Sequence, residues 1–83
     1  MKPTPEKILQ TIIAIITESH DMPATTETTI GELQKAGMDS LDQVELAMEL
    51  EEELGLELDE FDPLPPEMTL AQMAEKISQM QPN

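Results

Sequence analysis

Residues 39–55 read Asp39-Ser40-Leu41-Asp42-Gln43-Val44-Glu45-Leu46-Ala47-Met48-Glu49-Leu50-Glu51-Glu52-Glu53-Leu54-Gly55. Both ends of a helix are written into this stretch. Asp39 is a good N-cap, Asp42 puts an acid in the first turn where the helix dipole favours one, and Gly55 fits a C-terminus. Between them the apolar residues form two stripes. At about 100° per residue, Leu46, Ala47, Leu50 and Leu54 cluster on one side. Leu41, Val44 and Met48 form a second stripe, roughly a third of a turn or more away. Glu45 and Glu52 run along one margin of that second stripe, and Glu51 along the other. One stripe suits a core. The other is either more core, in a tight bundle, or an apolar strip edged with carboxylates, as a docking surface for a basic partner requires. The sequence leaves these two readings open.

Upstream, Thr4 is placed to cap a helix, with Pro5 and Glu6 in its first turn. Ile8, Leu9, Ile12, Ile13, Ile15 and Ile16 then recur at helical spacing. Strand is the main competitor, because β-branched residues are only fair helix formers and need tertiary packing to persist as helix. The broad apolar face and the capped start favour helix, ending near Ser19-His20-Asp21. A Thr-rich connection follows from about Asp21 to Gly37. Thr29 and Glu32 have capping-box spacing there, and Ile30 and Leu33 can pin a short turn to the core.

Downstream of Gly55, Pro63, Pro65 and Pro66 rule out a long regular helix. Leu56, Leu58, Phe61, Leu64 and Met68 are placed to close one side of a core. Thr69 with Gln72 opens a last helix whose inner face is Leu70, Met73, Ala74, Ile77 and Met80, and Pro82 ends it. The expected fold is all-α: a small bundle of three main helices plus a short helix or turn, one domain over residues 1–83.

Composition agrees. There is no cysteine, so neither a disulfide nor a thiolate metal site can hold the chain, and Phe61 is its sole aromatic residue. Eighteen acids face four lysines and no arginine, for a net charge of −14. Such a surface repels nucleic acid and anionic membranes and steers basic protein surfaces toward itself. High negative charge also accompanies disorder, but the regular apolar spacing argues against that here. No run approaches the length of a membrane span, and the start lacks the features of a signal peptide. A cytoplasmic monomer is the expectation.

The run Gly37-Met38-Asp39-Ser40-Leu41-Asp42-Gln43-Val44-Glu45-Leu46, continuing through Leu54, resembles the attachment motif of acyl carrier proteins. A lone Asp-Ser-Leu means little; the same tripeptide opening an acidic helix with this apolar pattern is specific. The resemblance implies that Ser40 receives a 4′-phosphopantetheine arm from coenzyme A, joined by a separate magnesium-dependent phosphopantetheinyl transferase. It implies a role for Asp39 in recognition by that transferase. It places Leu41, Asp42, Val44, Glu45, Met48, Glu51 and Glu52 against partner enzymes. Those partners are acyl-transferring and acyl-elongating enzymes of fatty acid, polyketide or related lipid biosynthesis. Acyl groups would ride as thioesters on the arm, which explains how a chain without cysteine does thiol chemistry. A peptidyl or D-alanyl carrier shares the arm with different cargo, and an interaction module shares the fold without it.

The position of Ser40 also has a physical reading. A serine at a helix start projects its hydroxyl clear of the backbone, beside unpaired N–H groups and a dipole end that suit a phosphate. No catalytic constellation surrounds it, so the expectation is a substrate of the transferase and not an enzyme. Two departures from the family pattern stand out: Ala36 precedes Gly37 where leucine is common, and three prolines follow Leu58 where the family has a short acidic helix that lines the acyl channel. Asp59, Glu60 and Asp62 lack the glycine-centred loop of an EF-hand and read as a solvated acidic turn. His20 has no ligand partners in sequence and reads as a surface residue at a helix end, so no metal site is expected.

Overall fold

The computed structural model describes residues 3–58 and 64–81. Four helices occur among them: α1 (Pro5–Ser19), α2 (Ile30–Lys35), α3 (Ser40–Leu54) and α4 (Leu70–Met80). Each begins where a short polar side chain satisfies first-turn N–H groups that have no carbonyl partner. Thr4 Oγ1 accepts from the Lys7 N–H at 3.1 Å. Thr29 with Glu32, Asp39 with Asp42, and Thr69 with Gln72 each form a complete reciprocal capping box. The turn expected at Ile30 and Leu33 is thus a true helix of six residues.

The caps also join two helices. An N-cap residue is extended, so Thr29 and Thr69 can pair as an antiparallel bridge. Ile30 N–H donates to Met68 C=O and Leu70 N–H to Thr28 C=O, both at 2.9 Å. Gly31 N–H reaches Pro66 C=O at 2.8 Å, and a β-carbon on Gly31 would sit only 3.1 Å from that oxygen. The starts of α2 and α4 are therefore held side by side, and the segment before α4 is fixed without being helical.

α1 packs against both α3 and α4. Its buried Ile8, Ile12, Ile15 and Ile16 meet Leu46, Ala47 and Leu50 of α3 and Leu70, Met73, Ala74 and Ile77 of α4 in one core. This packing is what lets an isoleucine-rich segment be helix. Ile30 and Leu33 of α2, then Met38, Leu56, Leu58 and Leu64, close the rim, with Met68 packed against it. Met80 is exposed and stands outside the expected inner face. Phe61, Pro63, the acidic turn at Asp59, Glu60 and Asp62, and Pro82 lie outside the described residues.

Gln81 does work the sequence did not announce. Its buried carboxamide accepts from Glu57 N–H at 2.8 Å and donates to Glu57 C=O and Ile77 C=O, both at 3.1 Å. It stands in for a strand partner, pairing both backbone groups of Glu57 in a part-buried position.

Candidate functional site

α3 stops at Gly55, whose left-handed conformation (φ 66°) caps the helix through its N–H to Glu51 C=O at 2.9 Å. At the other end Asp39 Oδ1 accepts from Asp42 N–H at 3.0 Å, and Asp42 Oδ2 accepts from Asp39 N–H at 3.1 Å. The first helical residue after this box is Ser40. It is exposed, and among the described residues its hydroxyl makes no hydrogen bond to protein. The box occupies the N–H groups of Asp39 and Asp42, which leaves those of Ser40 and Leu41 in the first turn at the positive end of the dipole.

Asp39→Ala removes one half of the box. The expected cost is about 0.5–2 kcal/mol, typical of a lost N-cap, measurable as a lower denaturant midpoint, with Asp39→Asn retaining most of the stability. Equal loss in both variants would contradict the capping role.

The two stripes of α3 separate in the structure. Leu46, Ala47 and Leu50 are buried and Leu54 is partly so, whereas Leu41, Val44 and Met48 are 64%, 53% and 57% exposed. The second stripe is therefore surface, and the tight-bundle reading is excluded. Glu45 and Glu52 are exposed beside it, and with Met48 and Glu49 they line a shallow groove. Two of the expected contact residues have internal roles as well. Asp42 is half-buried in the capping box, and Glu51 turns toward the backbone after the helix, its Oε2 lying 3.5 Å from Leu58 N.

His20 corrects the expectation of a surface residue without partners. α1 ends at Ser19, and Asp21 takes a left-handed conformation (φ 53°), one that aspartate tolerates better than most residues. This end lies against α3, so the His20 side chain is only 9% exposed. Its Nδ1 is 3.9 Å from Asp42 Oδ1 and its Nε2 is 3.5 Å from Glu49 Oε2. No periodicity reports this contact, because it depends on where α1 stops relative to α3.

The fold thus sets an exposed serine at a capped helix start, beside an acid-edged apolar strip. The family model of the phosphopantetheine attachment site matches residues 6–62, more than half of the chain, and the chain belongs to that family. It is a phosphopantetheine carrier, and 4′-phosphopantetheine is its cofactor. No curated protein and no solved structure matches the chain significantly.

Proposed function

We propose that the arm is joined to Ser40 Oγ and that the protein is a cytoplasmic acyl carrier with no catalytic activity of its own. It would present acyl groups, held as thioesters on the arm, to enzymes of fatty acid, polyketide or related lipid biosynthesis. The observation that carries this reading is the juxtaposition on α3: an exposed, unbonded Ser40 hydroxyl followed by exposed Leu41, Val44 and Met48 with Glu45 and Glu52 at their edge. Asp39, exposed beside Ser40, is the proposed recognition point for the phosphopantetheinyl transferase. The transferase brings the base and the magnesium; this chain supplies the hydroxyl and the dipole end that accommodates the phosphate.

The carboxylates favour acyl cargo over a peptidyl or D-alanyl one, because they give basic patches on acyl-transferring and acyl-elongating enzymes a long-range target. Leu41, Val44 and Met48 then supply the desolvated contact. Weak pairs of this kind suit a shuttle that must be released after each step. Exposed ion pairs are worth about 0.2–1 kcal/mol each and are screened by salt. Raising ionic strength from tens to hundreds of millimolar should therefore weaken binding to an acyl-transferring enzyme roughly tenfold, if two or three pairs are lost. Calorimetric titration across a salt series measures this. Affinity independent of salt would count against the docking mechanism.

A further inference from the structure

The chain has seven methionines, and the fold treats them unequally. Met38 and Met73 are buried, and Met22 and Met68 pack against the core. Met80 is 38% exposed at the end of α4. Met48, at 57%, is the most exposed methionine among the described residues, and it stands on the outer stripe of α3. Its companions there, Leu41 and Val44, carry no atom that a mild oxidant attacks. The groove around Met48 is otherwise lined by Glu45, Glu49 and Glu52, so the thioether side chain is the apolar surface that this groove offers. A flexible thioether suits a face that meets several partners, and the same soft sulfur is open to oxidation.

We propose that Met48 is a site of reversible oxidation by peroxide, and that its sulfoxide turns down partner docking while the fold stays intact. The inference rests on the docking reading of α3 given above. Hydrogen peroxide transfers one oxygen atom to the thioether sulfur: a sulfur–oxygen bond forms, the peroxide O–O bond breaks, and water leaves. The sulfoxide is polar and accepts hydrogen bonds. Set among three carboxylates, it adds an acceptor where acceptors already crowd, and a partner that covers it must bury a polar group in place of an apolar one. Met48 stands outside the core, so its oxidation spares the packing of α1, α3 and α4. The same change at Met38 or Met73 would put a polar group into that core. Exposure also leaves the Met48 sulfoxide open to a methionine sulfoxide reductase, which restores the thioether as two thiols become a disulfide and water is released.

The test treats the unmodified full chain with hydrogen peroxide and maps the sulfoxides over time by peptide mass analysis. Met48 should oxidise about tenfold faster than Met38 and Met73, or more, because susceptibility follows exposure. The treated protein then serves as substrate for a broad-specificity phosphopantetheinyl transferase. KM for the chain should rise about tenfold, from burial of an unpaired polar group, while kcat holds, because Met48 lies about two turns from Ser40. A methionine sulfoxide reductase with dithiothreitol should restore the original KM. Each variant is compared with itself before treatment: Met80→Leu should keep the full response, and Met48→Leu should lose it. Circular dichroism should show the same melt before and after treatment; a melt that falls as KM rises would assign the effect to unfolding and overturn the proposal. Met48 oxidising no faster than Met38, or a KM unmoved by peroxide although Met48→Glu raises it, would overturn the switch alone. If Met48→Glu leaves KM unmoved in untreated protein, the docking reading fails and the switch with it.

Discussion

Ser40→Ala is expected to abolish phosphopantetheinylation completely while leaving the fold intact. The hydroxyl is the one atom group the reaction needs from this side chain, and among the described residues it holds no hydrogen bond whose loss would be felt elsewhere. Alanine is a better helix former than serine, and the site is exposed at the start of α3, so stability should stay within about 0.5 kcal/mol. Two readouts separate chemistry from folding: intact mass after incubation with coenzyme A, magnesium and a transferase, and the helical circular dichroism signal with its melting temperature. Loss of modification with an unchanged melt is the expected pair. Continued modification would move the attachment elsewhere; a collapsed melt would show that Ser40 is structural.

Leu50→Ala should produce the largest loss of stability, and comparison with Leu41→Ala gives it meaning. Leu50 has no exposed surface and sits where α3 joins the core shared with α1 and α4. Truncating a buried leucine costs about 2–5 kcal/mol, transfer and cavity terms together. A domain of this size shifts by about 4–8 °C per kcal/mol, so the melting temperature should fall by roughly 10 °C or more. The margin is thin: small domains bury a modest share of their surface, and a net charge of −14 adds self-repulsion. Partial unfolding at ambient temperature is within that range. Leu41, on the outer stripe of the same helix and 64% exposed, should change stability by no more than about 0.5 kcal/mol when truncated. Leu41→Ala should instead weaken partner binding. Equal destabilisation by both substitutions would mean that α3 faces the core with both stripes.

The elements whose causes are local were legible in the sequence. Thr4, Thr29, Asp39 and Thr69 start helices because each supplies an oxygen to an N–H two or three residues on, and Gly55 stops one because it accepts a left-handed conformation. The two stripes of α3 were legible as stripes. Which one faces inward was not, since a helix wheel says nothing about where α1 and α4 lie. Contacts between segments remote in the chain were hidden for the same reason. Gln81 reads as a polar residue at a helix end, yet it pairs with the backbone of Glu57, which is remote from it in the chain. His20 reads as a helix-end residue, and its neighbours Asp42 and Glu49 come from a different helix. The Thr29–Thr69 bridge joins two caps that the sequence shows only singly.

The most direct test of the carrier account is mass analysis of the unmodified protein before and after incubation with coenzyme A, magnesium and a broad-specificity phosphopantetheinyl transferase. Proteolysis and fragmentation then locate any added group. The account predicts a gain of one phosphopantetheine unit, on the peptide that contains Asp39-Ser40-Leu41 and on Ser40 within it. A unit found on another serine or threonine would contradict it, as would a folded protein that accepts none from a transferase active on another carrier.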